Sequence, residues 1–113
     1  MANREDLDLL KQGTATWNSW REKNPEIKPD LSGADLREAQ LGGANLSEAN
    51  LVHLSEAKLG QANLGLAILR GANSKRADFR SSNLAGADLR EANLTEANLG
   101  LADLDGTDRT SVT

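Results

Sequence analysis

The sequence predicts an all-β solenoid, in which the chain winds into stacked coils, preceded by one amphipathic helix. A five-residue repeat recurs around fifteen central residues between Leu31 and Leu104, and thirteen of these centres are Leu. Ala occupies the first position of thirteen repeats and Asn or Asp the second position of twelve, so these positions are restricted while the last two vary freely. Residues 1–28 lack the repeat and space their large apolar residues as a helix does.

The N-terminal region, residues 1–28, is predicted to be a capping helix with its linker. The helix spans residues 3–23, with Asn3 as its N-cap and acidic residues in the first turn. Gly13 weakens its middle, and the prolines of "NPEIKP" end it. Its apolar stripe consists of Leu7, Leu10, Trp17 and Trp20.

This helix is expected to lie across the first coil, because stacked coils leave an open apolar end with unpaired backbone groups. We expect both Trp rings to pack over residues 31–46. A helix on a membrane surface is the alternative interpretation, but five acidic residues among residues 1–28 oppose binding to anionic lipid. The sequence therefore favours a cap.

The restricted positions of each repeat predict which side chains face the interior. Side chains two apart on an extended stretch point to the same side, so Ala and the central Leu face inward together. The fourth and fifth positions accept Ser, Arg, Glu, Gly and Thr and face water. Asn and Asp suit the bends, because their side chains bond nearby backbone groups and tolerate unusual backbone angles. The predicted core contains Leu36, Leu41, Leu46, Leu64, Leu69, Phe79, Leu84, Leu89, Leu94 and Leu99.

The repeats "ADLRE", "ANLSE", "ANLTE" and "ANLGL" resemble the A(D/N)LXX consensus of the pentapeptide-repeat family. The resemblance covers residues 29–106, which a polar tail at 107–113 follows. It implies a right-handed quadrilateral β-helix in which four repeats form one square coil, with nearly four coils in this chain. It also implies similarity to the small cyanobacterial members of the family, many of which have no assigned role.

The repeat is interrupted once, where the step from Leu51 to the next evident central Leu is eight residues instead of five. Either three residues are added or two are lost at "VHLSE", residues 52–56. A surface bulge is the favoured interpretation. Whether it points outward or tucks Leu54 inward stays open, since Ser74, twenty residues later, is the only polar central residue and leaves room. A recognition loop carrying His53 is the functional alternative.

Composition excludes several classes of function. The chain has a net charge of −4, no Cys and one His, which leaves little for metal binding or acid–base catalysis. The acidic excess lies within residues 29–113, with twelve acidic and eight basic residues, and would repel nucleic acid. No apolar run reaches the length of a membrane span, and no signal sequence is recognisable at the start. We therefore expect a cytoplasmic, non-enzymatic protein without cofactors or metals.

The expected function is binding through the surface of the rod. The candidate contacts with a protein partner are Leu66 and Ile68, with Val52 and His53 at the interruption. The favoured function is a scaffold or protein–protein interaction module. The alternative, implied by the family resemblance, is a DNA mimic that binds a topoisomerase or another DNA-binding protein, although several basic residues lie in the middle of the rod. A monomer is expected rather than an end-on homodimer, since paired family members carry additional C-terminal elements.

Overall fold

The computed structural model describes residues 4–113 and contains two helices followed by a repeat β-solenoid. Helix α1 spans Arg4–Lys11, and helix α2 spans Thr14–Lys23. The helices pack against each other, and α1 also contacts the first strand of the solenoid. Neither of these described helices has the length and apolar character needed to cross a bilayer.

The break between the helices lies at Gly13. Its φ of 113° belongs to a region that favours glycine, and its amide donates to the Leu10 carbonyl at 3.1 Å, which ends α1. The prediction of one continuous helix over residues 3–23 is therefore wrong. The predicted N-cap, Asn3, lies outside the described residues.

Two parallel strands start the solenoid. Strand β1 spans Asp30–Asp35, and strand β2 spans Asn50–His53. Their register shifts within β1, so that Asp35 pairs with His53. Later repeats pair through single-residue parallel bridges in place of continuous strands, because each repeat bends after a short extended stretch.

Four ladders of parallel bridges join the coils. Along one ladder, Asn45 pairs with Asn63, Asn63 with Asn83, and Asn83 with Asp103. The step is 18 residues in the first pair and 20 in the others. The other ladders run through Asp35, His53, Asn73 and Asn93, through Gln40, Lys58, Asp78 and Asn98, and through Asn50, Ile68, Asp88 and Asp108. The chain therefore returns to the same ladder after four repeats.

The bend of each repeat lies at its fifth position. Residues there other than Gly have φ between 58° and 63°, as in Glu38, Leu66 and Glu91. The amide of the next residue, usually Ala, closes the turn on the carbonyl of the central residue. The expectation that Asn and Asp take the unusual backbone angles is wrong, because their second position lies in the ladder.

Asn and Asp serve instead as acceptors for the one amide of each repeat that does not bond a backbone carbonyl. In the inner coils, the amides of the first, second, third and fifth positions donate to backbone carbonyls. The fourth-position amide donates to the side chain two residues before it, as Gly100 does to Asn98 Oδ1 at 2.9 Å and Ala85 to Asn83 Oδ1 at 2.9 Å. This local bond explains why the second position is restricted.

The acceptor role predicts a stabilising substitution at Gln40, a second-position residue that makes no such bond within the described structure. Gln40→Asn should raise the free energy of unfolding by about 0.5–1 kcal/mol. The side-chain oxygen of the shorter Asn can accept a hydrogen bond from the backbone N–H of Gly42. The reverse change, Asn98→Gln, should lower it by a similar amount, and both residues precede Leu-Gly. Urea unfolding followed by circular dichroism measures both. Changes of the same sign would contradict the role of this bond.

The central residues and the Ala residues form the interior. Leu94 and Leu99 are half-buried, because a neighbouring coil covers the last coil on one side only. Ser74 is also buried, and it stacks on Leu54, the central residue at the same place in the preceding coil. The other eight predicted core residues are buried, with at most 5% exposure: Leu36, Leu41, Leu46, Leu64, Leu69, Phe79, Leu84 and Leu89.

The interruption at residues 52–56 is a loss of two residues. The Val52 carbonyl accepts a bond from the Asn73 amide, which is the bond that Ala makes in the complete repeats. Val52 therefore occupies a first position directly after the central Leu51. Leu54 is then a central residue with no exposed surface. The favoured surface bulge is wrong, and Leu54 lies in the interior.

Side chains of α2 take the place of a preceding coil. Trp17 Nε1 donates to the Asn45 carbonyl at 2.7 Å, and the Asn45 amide donates to Asn18 Oδ1 at 2.7 Å. Arg21 donates to the Ser47 carbonyl at 2.8 Å. In the next coil, the corresponding backbone groups pair with the first coil. The cap therefore satisfies the open edge by hydrogen bonds as well as by apolar contact.

The four predicted apolar cap residues differ in burial. Leu10 and Trp17 are buried, whereas Leu7 and Trp20 are half-buried. The Trp20 ring lies 5.2 Å from the Trp17 ring and lines an outer groove of the cap with Leu9. Both Trp residues pack against the core, as expected, but only Trp17 is fully buried.

Helix α1 adds a buried carboxylate to the cap. Asp6 is 5% exposed and accepts a hydrogen bond from the Asp30 amide. Burial raises the pKa of Asp6 above its ordinary value, and the Asp30 amide and the Arg21 charge oppose this rise. Arg21 of α2 is buried as well, at 4% exposure. The apolar stripe predicted from the sequence indicates neither of these two buried charges.

Candidate functional site

The exposed apolar residues Leu66 and Ile68 form a ridge on the solenoid, hereafter the Leu66–Ile68 ridge. Their exposed fractions are 61% and 46%, while Ala67 and Leu69 beside them are fully buried. Leu66 lies over Gly86, where an added Cβ would come within 2.7 Å of Leu66 Cδ2. A glycine in the next coil therefore lets Leu66 lie close to the rod.

The two other predicted contacts, Val52 and His53, do not join this ridge. Val52 is half-buried because it occupies an Ala position. His53 is exposed, but it belongs to a different ladder from Ile68 and lines a shallow groove with Asp35 and Arg37. The structure thus leaves Leu66 and Ile68 as the apolar part of the candidate surface.

Three arginines at fourth positions are held by the Asp two residues before them. Arg80 Nε and Nη2 donate to the two carboxylate oxygens of Asp78 at 2.9 and 2.7 Å. Equivalent pairs of bonds, between 2.7 and 2.9 Å, join Arg90 to Asp88 and Arg37 to Asp35. Each guanidinium therefore binds a carboxylate through two parallel bonds within its own repeat.

These pairs predict a loss of stability in acid. The Arg80 hydrogen bond lowers the pKa of Asp78 to about 2, and the Arg90 hydrogen bond lowers that of Asp88 to about 2. An unfolded Asp titrates near 3.9, so the folded-state pKa values are the lower ones. Their stabilisation is present above that value and is lost as the pH falls towards 2. Thermal unfolding at pH 7 and at pH 2.5 should show the loss.

The double variant Asp78→Asn, Asp88→Asn is the control for the acid effect. It removes both titrating groups but keeps an acceptor for the fourth-position amides. Its unfolding temperature should depend less on pH below 4. Asp6 acts in the opposite direction, because its raised pKa favours folding in acid. An unchanged acid dependence in the double variant would contradict the assignment.

Arg70 occupies the same fourth position without an Asp partner, because Ile68 stands where those three repeats have Asp. Within the described residues, its ion pair is with Glu91, at 3.4 Å between Nη2 and Oε1, and both side chains are more than half exposed. The sequence "ILR" in place of "DLR" marks this difference. Arg70 is not among the contact residues that the sequence predicted.

The described residues contain neither a metal-ligand cluster nor an accessible hydroxyl at Ser74. Among residues 4–113, no three His, Asp or Glu side chains lie where they could hold a metal ion. Ser74 is 1% exposed, so its hydroxyl lies in the interior. At the C-terminal end, Leu104 is half-buried and Leu101 is 92% exposed.

The repeated segments match a known family. The family model described as "Pentapeptide repeats" matches residues 30–53 and 75–108 in eight copies. These residues make up half of the chain. The chain belongs to the pentapeptide-repeat family. No curated protein matches the sequence significantly.

Solved pentapeptide-repeat proteins from cyanobacteria are similar to this one. Rfr23 from Cyanothece 51142 is 39% identical over 76% of this chain and 60% of its own, with a TM-score of 0.71. HetL from Nostoc sp. strain PCC 7120, a protein involved in the regulation of heterocyst differentiation, is 35% identical over 72% of this chain and 43% of its own, with a TM-score of 0.49. This pentapeptide-repeat protein therefore matches less than two thirds of the length of either.

The family sets the general class of this pentapeptide-repeat protein. Its members are structural repeat proteins that act as protein-interaction scaffolds and are generally non-enzymatic. The similarity to Rfr23 agrees with the repeat β-solenoid described above.

Proposed function

We propose that this protein is a non-enzymatic scaffold that binds another protein through the Leu66–Ile68 ridge. The observation that carries the proposal is the ridge itself. Apart from Leu101, every other residue at a second or fifth position is polar or Gly. Two apolar residues at neighbouring outward positions of a polar rod suit the centre of a contact that a partner buries.

The ridge needs little rearrangement to bind a partner. The Ile68 amide donates to the Ala49 carbonyl at 2.8 Å, and its carbonyl accepts from the Leu51 amide at 3.0 Å. Leu66 has a φ of 58° in a closed turn and lies against Gly86. A surface that is already ordered loses less conformational entropy on association.

A pull-down from a lysate of the source organism tests the proposal. The bait is the intact protein, and the test variant is Leu66→Glu, Ile68→Glu. The control variant is Ser81→Glu, Asn83→Glu, which adds the same charge at the same two repeat positions on another corner. We expect one partner to bind the wild type and the control and to be lost from the test variant. A partner that both variants retain would exclude the ridge.

A topoisomerase protection assay separates the scaffold from the DNA mimic. We expect no protection, because a mimic of the duplex needs a continuous acidic surface. Arg70, Arg80 and Arg90 interrupt that surface in the middle of the rod. Protection by the intact protein would replace the scaffold proposal with the mimic.

We also infer the finer features that the family resemblance implies. The solenoid, over residues 29–106, is a right-handed quadrilateral β-helix, with a cap and linker at 1–28 and a polar tail at 107–113. Independently of the resemblance, we propose that the protein is a cytoplasmic monomer without catalytic activity or cofactors. Sedimentation of the intact protein checks the monomer, and a concentration-dependent increase in mass would contradict it.

A further inference from the structure

We propose that the partner segment bound at the ridge carries a carboxylate beside an apolar side chain, and that Arg70 receives the carboxylate. The inference rests on the proposed function. Leu66, Ile68 and Arg70 alternate with the fully buried Ala67 and Leu69, so they follow one another along the outside of the rod. An apolar ridge followed by a guanidinium matches a segment in which Asp or Glu neighbours Leu, Ile, Val or Phe.

The ligand class is indicated by the other arginines of this chain. Arg37, Arg80 and Arg90 stand at the same repeat position, and each binds an Asp carboxylate through two bonds. Ile68 replaces the Asp that would hold Arg70. A partner carboxylate can therefore supply the group that this repeat lacks, while Ile68 adds apolar contact.

The shortened repeat removes the usual donor to the backbone carbonyl of Arg70 on the side of the preceding coil. Because two residues are lost after Leu51, the positions that would face Arg70 and Gly71 from that coil do not exist. In a complete repeat, the fourth-position carbonyl accepts an amide from the preceding coil, as Arg80 does from Gln61 at 2.9 Å. The corresponding donor for Arg70 is absent, so its carbonyl can accept a bond from the backbone of a partner.

Charges around the ridge favour one carboxylate over a polyanion. The competitor already present is Glu91, at 3.4 Å from Arg70 and 62% exposed, which is a single solvated contact that a partner can displace. Glu48 shares the repeat position of Leu66 in the preceding coil, and Asp88 pairs with Ile68 across the ladder. These carboxylates would repel the many phosphates of a nucleic acid.

Selection of a random dodecapeptide phage library on the intact protein tests the inference. We expect the enriched peptides to share Asp or Glu next to a large apolar residue. A synthetic copy of one such peptide should bind about tenfold more weakly when its acidic residue is changed to the amide. Failure to enrich such peptides would overturn the inference.

Three variants locate the site of the synthetic peptide. Arg70→Gln should weaken binding about tenfold, and Arg37→Gln, the same change at the same repeat position, should not. Ile68→Asp should also weaken binding, because it gives Arg70 the internal partner that Arg80 has. Circular dichroism checks that the variants remain folded, which their exposed positions favour.

The outcomes separate this inference from the proposed function. Peptide binding that survives Arg70→Gln but is lost in Leu66→Glu, Ile68→Glu would overturn the role of Arg70 and leave the ridge as a contact. Binding that survives both variants would exclude the ridge as well. A short DNA duplex is compared with unlabelled peptide as a competitor at equal concentration of negative charge. If the duplex displaces the bound peptide more strongly, phosphate rather than carboxylate is the group that Arg70 binds.

Discussion

Leu89→Asp is expected to leave the protein unfolded at 25 °C. Leu89 is 1% exposed and stacks in one interior column with Leu51 and Leu69, which are fully buried. An Asp there would place a carboxyl group among the apolar side chains of the interior. Protonating and burying the new carboxyl costs several kcal/mol, and the lost Leu contact adds about 2–5 kcal/mol, so the sum is comparable with the roughly 5–15 kcal/mol that stabilises a typical domain.

Two further substitutions serve as comparisons for the loss of stability in Leu89→Asp. Leu89→Ala removes apolar contact without adding charge and should lower the free energy of unfolding by about 2–5 kcal/mol. Thr95→Asp adds the same carboxylate at an exposed fourth position and should change it by less than about 0.5 kcal/mol. Circular dichroism with urea titration ranks the three variants. Similar losses from Leu89→Asp and Thr95→Asp would contradict the assignment of inward and outward positions.

Much of the solenoid could be predicted because each repeat exposes its own constraints. A position that accepts only Ala, or almost only Leu, has to face a packed interior, and fifteen repetitions make that pattern unmistakable. Asn and Asp recur at the second position just as regularly, because their side chains accept a bond from the amide two residues later. Their assignment to the bend was wrong because the sequence alone does not show which amides the ladders leave unpaired.

The shortened repeat could not be resolved from the sequence. An eight-residue step fits both three added residues and two lost ones, and only the bonds between coils distinguish them. In the structure, the Asn73 amide donates to Val52, and the Leu54 amide donates to Asn73. Those two bonds place Leu54 in the interior and leave the Arg70 carbonyl without the donor that a complete repeat supplies.

The candidate site was predictable in part. Leu66 and Ile68 stand out in the sequence, because they are apolar residues at positions that are otherwise nearly all polar or Gly. Arg70 was missed, since its significance depends on a comparison with the Asp–Arg pairs, and these form only when both side chains share one side of the coil. The polar part of the cap was missed for a similar reason, because an apolar stripe does not reveal that Asp6 and Arg21 are buried.

Trp17→Ala should give the second large effect, with a loss of about 3–5 kcal/mol in the free energy of unfolding. Trp17 is fully buried, and its Nε1 donates to the Asn45 carbonyl at 2.7 Å. The substitution therefore removes the largest apolar contact of the cap and leaves an edge carbonyl without its donor. Urea unfolding followed by circular dichroism measures the loss.

Trp17→Phe and Trp20→Ala divide this effect into its causes. The Phe variant keeps most of the apolar contact but not the hydrogen bond, so it should cost about 0.5–1.5 kcal/mol plus a smaller packing term. Trp20 is half-buried and lines the outer groove, so its removal should cost less than that of Trp17. A cap that acted only as an apolar cover would make Trp17→Phe nearly silent. Equal losses from Trp17→Ala and Trp20→Ala would show that the bond to Asn45 does not distinguish the two residues.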